Sequence, residues 1–113
     1  MSLHRNAKNA KIIEEIYVYL LDRGYHKVSV LLEALENESI FHIEIYTDNS
    51  SLVEELKEDI VCGRDAGLEE YGWELMGESD HVLDLYTLGT LLDSCEISYD
   101  EGICRVVFVR EEV

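Results

Sequence analysis

The sequence has no proline, one tryptophan, and 9 basic residues against 25 acidic ones in 113. Without proline there is no polyproline segment and no proline-marked linker. No run of about 18 apolar residues occurs, which argues against a membrane-spanning helix. The start, Met-Ser-Leu-His-Arg-Asn-Ala-Lys-Asn, lacks the apolar core of a signal peptide. Residues 1–6 are expected to lie outside the fold. The cysteines, Cys62, Cys95 and Cys104, are odd in number and form no CxxC. That pattern implies neither a zinc knuckle nor a disulfide framework, and it fits reduced thiols in a cytosolic protein. GxGxxG and GxxxxGK[ST] are both missing, so no phosphate-cradling loop is signalled. The formal charge of −16 opposes nucleic acid and anionic lipid, whose binding depends on Lys and Arg releasing counterions. The same charge favours solubility and attraction of basic partners.

What is present is a single domain's worth of chain, 47% hydrophobic, with two kinds of periodicity. Residues 40–61 carry both. Phe41, Ile43 and Ile45 alternate with His42, Glu44 and Tyr46, the period-2 pattern of a half-buried strand. Leu52, Leu56 and Ile60 then recur every fourth residue beside Val53, as on one stripe of a helix. Asp48-Asn49-Ser50-Ser51 lies at the junction, where such residues cap helices.

Upstream, Ile12, Ile16 and Leu20 predict a helix over 7–22, stopped by Gly24 in a left-handed C-cap. Val28 to Ala34 alternates as a strand and pairs with 40–47 across a polar turn. Downstream, Gly63, Gly67, Gly72 and Gly77 break up residues 62–78 and argue against one long helix; either a packed loop with a short helix at Leu68–Tyr71 or a mobile lid is expected. Val82, Leu85, Leu88 and Leu92 predict a helix over 80–93. Cys95–Tyr99 and Ile103–Val109 predict a hairpin around Asp100-Glu101-Gly102, with Arg110–Val113 as a charged tail. The expected fold is α+β: a two-layer sandwich with three helices on one face of a four-stranded, mainly antiparallel or mixed sheet, in the order α-ββ-α-(Gly-rich segment)-α-ββ.

This order resembles the ATP-binding domain of the GHKL group, which includes gyrase B, sensor histidine kinases, heat-shock chaperones and anti-sigma kinases. The resemblance rests on the first helix and following strand, on Ile45-Tyr-Thr-Asp48-Asn-Ser-Ser-Leu-Val-Glu-Glu-Leu, and on Leu83–Asp93 with the closing hairpin. It implies an adenine-reading role for Asp48, with Asn49 beside it, and possession of an ATP or ADP site. The sequence departs from the family pattern at the chemistry. Val18 or Tyr19, with Glu14 and Glu15 ahead, stands where the family has its Mg²⁺-holding Asn. Ser50 and Leu52 replace two glycines, and Asp80-His-Val-Leu replaces the glycines of the phosphate loop. The resemblance therefore implies a degenerate member without ATP hydrolysis.

Other candidates weigh as follows. His81 and Asp84 share a helix face but are only two ligands, too few for a metal site. His42 and Glu44 could pair for acid–base work, against an ordinary polar sheet face. Cys62 could be activated by Arg64, against an inert thiol. Tyr71 and Trp73 could anchor a partner, against core packing. No catalytic residue and no metal is assigned. The expectation is a non-enzymatic, cytosolic binding or regulatory module contacting a basic protein or a second copy, with no nucleic acid and no membrane. Weak ATP or ADP binding through Asp48 is the alternative, and an acidic chaperone or immunity-type inhibitor of a basic partner is a further one.

Overall fold

The computed structural model describes residues 5–65, 67–70, 73 and 85–112. The elements are α1 (Arg5–Asp22), β1 (Val28–Ala34), β2 (Glu38–Tyr46), α2 (Leu52–Asp59), α3 (Leu85–Gly89), β3 (Ser94–Asp100) and β4 (Ile103–Glu111). Residues 67–70 are also helical. The strands form one sheet in the order β1-β2-β4-β3, and every neighbouring pair is antiparallel. The fold is thus a two-layer α+β sandwich in which the two hairpins lie side by side, joined through β2 and β4.

Alternation puts the apolar residues on one face. Across the sheet they form three rows: Val28-Ile45-Cys104-Tyr99, Val30-Ile43-Val106-Ile97 and Leu32-Phe41-Phe108-Cys95. The central members are buried together with Ile12, Ile16 and Leu20 of α1, Leu52 and Leu56 of α2, and Leu85 and Leu88 of α3. Helices α1, α2 and α3 therefore all cover this one face. Burying a side chain the size of Phe41 is worth about 1.5–3 kcal/mol, so these rows supply much of the drive to fold.

Local chemistry sets the ends of the elements. Gly24, at φ +94°, closes α1 in a Schellman motif: its N–H donates to Leu21 O at 3.0 Å, and Tyr25 N–H donates to Leu20 O at 3.1 Å. The β3–β4 turn has positive φ at both Glu101 (+48°) and Gly102 (+80°), the geometry of a two-residue hairpin whose twist matches its strands.

Four boundaries differ from the sequence expectation. Helix α1 begins at Arg5, not residue 7, because Arg5 is bonded to β2 through Glu38 O and Ser39 Oγ. The helix expected over 80–93 spans Leu85–Gly89; its residues 80–84 lie outside the described ones. It stops early because Thr90, Leu91 and Leu92 make tight i→i+3 bonds to Thr87, Leu88 and Gly89. Gly89 is also pressed against the backbone of Val61: a Cβ there would sit 2.3 Å from Val61 O. Helix α2 ends at Asp59, with Ile60 extended, so that residues 63–65 can run beside Gly89 and Thr90, donating from Gly63 and Asp65 N–H. Finally, Arg110 is not part of a tail. It continues β4 on the core-facing parity of Cys104, Val106 and Phe108, and only 2% of it is exposed.

Candidate functional site

The helices leave the other face of the sheet open among the described residues. Its side chains are Ser29, Leu31 and Glu33 of β1; Glu38, Ile40, His42, Glu44 and Tyr46 of β2; Ile103, Arg105, Val107, Val109 and Glu111 of β4; and Ser94, Glu96, Ser98 and Asp100 of β3. Leu31 is 62% exposed, and Ile40, Val107 and Val109 are half-buried beside it. This apolar strip is framed by two cross-strand polar contacts: a hydrogen bond between His42 Nε2 and Glu33 Oε1 at 2.5 Å, and an ion pair of Arg105 Nε with Glu44 Oε2 at 3.2 Å. Between them runs a shallow groove of about 330 Å³ lined by Leu31, His42, Glu44, Arg105 and Val107. The strands present six carboxylates here, Glu33, Glu38, Glu44, Glu96, Asp100 and Glu111, against the single guanidinium of Arg105. His42 and Glu44 each have another partner, so they do not form the acid–base pair weighed from the sequence.

At one end of the sandwich the core is closed by a polar clamp. Arg110 donates to Leu91 O at 2.7 Å and pairs with Glu69 at 2.7 Å and Glu112 at 3.3 Å. Glu69 also accepts from Arg64 Nε at 3.0 Å and from the indole N–H of Trp73 at 3.2 Å. Arg64 in turn reaches Asp93 at 3.2 Å and Glu111 O at 2.6 Å. Burial pushes the Glu69 carboxyl up, but the bonds donated by Arg64, Arg110 and Trp73 outweigh it and hold the group at about 2. Ser39, fully buried, gathers Arg5 and Asn9 as donors and gives its own proton to Glu112 at 3.1 Å. The clamp fastens Arg64 and Glu69 to β4 and its neighbours, and Trp73 to Arg110 and to Lys8 of α1. Sequence reasoning missed it, although the parity of Arg110 with Phe108 marked its inward direction.

Trp73 belongs to this clamp. It is 7% exposed, with Lys8 Nζ and Arg110 Cζ each 5.3 Å from its ring centroid. Its contacts are those of the core-packing alternative, and it presents little surface to a partner. Tyr71, His81 and Asp84 lie outside the described residues.

Asp48 is exposed in the turn after β2. Asn49 is engaged locally: its Oδ1 accepts from Ser51 N–H at 3.2 Å and its Nδ2 donates to the Tyr25 hydroxyl at 3.1 Å. The N-cap of α2 is Ser51, without a side-chain cap bond, so Asp48 is not the helix cap that its position suggested. A second cleft, also about 330 Å³, is lined by Tyr19, Arg23, Asp59, Leu85 and Tyr86, and does not include Asp48 or Asn49. Its charges are already engaged: Arg23 lies 4.6 Å from the Tyr19 ring, and the Tyr19 hydroxyl donates to Asp59 at 3.4 Å.

Cys62 has its thiol pushed up by burial, and further by Cys95 and Asp93. Arg64 turns its guanidinium to Glu69 and Asp93, so the activated thiol weighed from the sequence is not formed. Among the described residues no group of three or more His, Cys, Asp or Glu side chains is placed to hold a metal ion, and no helix is long and apolar enough to cross a membrane.

Comparison of the chain with protein-family models, with curated proteins and with solved structures gives no match.

Proposed function

We propose that the chain is a non-enzymatic binding or regulatory module whose open sheet face receives a basic protein. The observation that carries this reading is the composition of that face: an apolar strip of exposed Leu31 and half-buried Ile40, Val107 and Val109, ringed by six carboxylates and one guanidinium. Interfaces take their affinity from a desolvated apolar centre and their rate and selectivity from charge complementarity at the rim. A partner offering Lys and Arg around an apolar ridge meets both conditions. The net charge of −16 adds long-range attraction for such a partner and repels nucleic acid. An inhibitor or chaperone that keeps a basic protein in check is a natural form of this module.

In this reading the resemblance to the GHKL group is limited to the order of elements along the sequence. The nucleotide turnover of that group is not part of the proposal. Residual ATP or ADP affinity through Asp48 has less to support it, because Asn49 is spent on Tyr25 and Ser51 and neither described groove reaches the turn.

The test is a pull-down at low salt with the wild-type chain and two face variants, Val107→Glu and Glu44→Lys. The expected outcome is a basic protein that elutes as salt approaches about 0.5 M, where charge attraction is screened within roughly 4–5 Å, and that neither variant retains. Retention of no basic protein, or equal retention by all three chains, would refute the reading.

A further inference from the structure

The two edges of the sheet are guarded differently. β3 carries Glu96 and Asp100, with Asp93 just before it. β1 reads Val-Ser-Val-Leu-Leu-Glu-Ala, with one charge, no lysine and no proline. An exposed edge is a template for another strand, and natural proteins blunt it with charge, proline or a bulge. β1 has little of this protection.

The register shows which backbone groups face outward. Lys27 O accepts from Tyr46 N–H, and Leu35 N–H donates to Glu38 O. Hydrogen-bonded pairs alternate along an antiparallel ladder. Ser29, Leu31 and Glu33 therefore turn their N–H and C=O groups to β2, while Val28, Val30, Leu32 and Ala34 turn theirs to the open edge. Among the described residues, the one bond made there is from the Tyr17 hydroxyl to Val28 O, at 3.5 Å. Coverage is incomplete on the same side. Val28, Val30 and Leu32 are half-buried, whereas their row-mates Ile45, Ile43 and Phe41 are at most 1% exposed. On α1, Ile13 and Tyr17 are half-buried and Leu21 is 42% exposed, four residues apart on the flank that Tyr17 brings to this edge.

We infer that the β1 edge pairs with the β1 edge of a second copy, antiparallel about a two-fold axis at Leu31, to make one continuous sheet across both subunits. The strand is complementary to itself in that register. Outward groups meet outward groups: Val30 pairs with Leu32 of the second copy, and Val28 with Ala34 of the second copy, each pair exchanging both backbone bonds. The whole strand overlaps, which an axis at Val30 or Leu32 does not allow. Leu31 packs on Leu31 of the second copy on the outer face. Glu33 stands opposite Ser29 of the second copy with Lys27 of the second copy beyond it, so no carboxylate opposes a carboxylate. The flanks of Ile13, Tyr17 and Leu21 meet beneath the joined strands. Two chains of −16 repel, and β1 has the fewest charges of the four strands, so the contact falls where that repulsion is weakest. A strand from an unrelated protein would fit the backbone but has no reason to match this self-complementary register. The pairing shares Leu31 with the face proposed for the basic partner, but it is argued from the edge backbone and its register, and salt separates the two: screening weakens that partner's attraction and eases the repulsion between copies.

Sedimentation of the full chain at about 100 µM, well above a micromolar dissociation constant, is expected to give twice 13.0 kDa, with no loss of dimer on added salt. Leu31→Lys, which sets two ammonium groups together on the axis, is expected to halve the mass while leaving the far-ultraviolet circular dichroism unchanged. Leu31→Cys is expected to cross-link on mild oxidation, with peptide 28–34 linked to itself. Glu96→Cys on the opposite edge and the wild-type chain are the controls, and neither is expected to cross-link. A wild-type chain that stays monomeric, a dimer that survives Leu31→Lys, or cross-linking of Glu96→Cys as readily as Leu31→Cys would overturn the inference. If Leu31→Lys fails to fold, the cross-linking comparison decides.

Discussion

Glu69→Gln tests the clamp most sharply. The substitution keeps the side chain's size and one acceptor oxygen but removes the charge between Arg64 and Arg110. The Glu69 side chain is 13% exposed and that of Arg110 is 2% exposed. The folded carboxyl sits at about 2 against an ordinary 4.5. At 1.36 kcal/mol per unit, that separation is worth about 3 kcal/mol of stability near neutral pH. Arg110 keeps Glu112 as a second counter-charge at 3.3 Å, so the loss is expected at about 3 kcal/mol, the low end of the roughly 3–5 kcal/mol that a buried charge left wholly unpaired would cost. For a chain of this size that lowers Tm by roughly 10–15 °C. Thermal melts followed by circular dichroism at pH 7 measure it, with exposed Glu70→Gln as the control, expected within about 2 °C of wild type.

The pH dependence supplies a second arm. Because the folded value lies below the unfolded one, the stabilisation is fully present above about pH 4.5 and is lost as pH falls toward about 2. Other carboxylates titrate in the same window, so the quantity to follow is the difference between wild type and Glu69→Gln. It should be constant from pH 7 to 5 and shrink between pH 4.5 and 2. A neutral-pH loss under about 1 kcal/mol, or a difference that does not change with acid, would refute the reasoning that Glu69 is the counter-charge closing the core.

Gly89→Ala should destabilise by at least about 1–3 kcal/mol, since the new methyl lands 2.3 Å from a backbone oxygen of Val61; urea unfolding with an unchanged slope checks it. Glu101→Asn should stabilise the β3–β4 hairpin by a few tenths to about 1 kcal/mol, because Glu101 holds φ +48°, a region that asparagine tolerates better; a rise in Tm reads it, and a fall would count against the turn geometry. Phe41→Ala, at the centre of the sheet's buried face, should cost about 3–5 kcal/mol, measured by the same melts. Mg-ATP is expected to shift the Tm of neither the wild-type chain nor Asp48→Asn; a shift in the wild type alone would restore adenine recognition at that turn.

Much of the architecture was legible locally. Both hairpins could be read because alternation states which side of a strand is apolar, and because Asp-Glu-Gly and Glu-Asn are turn sequences with a backbone reason to be so. Helices α1 and α2 were legible from stripes such as Ile12, Ile16 and Leu20, and the end of α1 from Gly24. The clamp was not. Arg110 looked like the start of a charged tail because a guanidinium is buried only when partners arrive from elsewhere in the chain, and Glu69, Glu112 and Leu91 O arrive through tertiary folding. Trp73 was ambiguous for the same reason: an aromatic ring reads alike as core or as anchor until its neighbours are known.

The sequence by itself determined the identity and order of the strands and the two longer helices, the face each would bury, and the acidity of what remained outside, since all of these depend on side-chain period and charge along a few adjacent residues. Only the tertiary structure decided that β2 and β4 adjoin to make the sheet wholly antiparallel, that α3 stops where Gly89 meets Val61, and that an inward arginine is neutralised by a glutamate from the glycine-rich segment. Those outcomes depend on contacts between residues far apart in the chain, whose pairing no local pattern encodes.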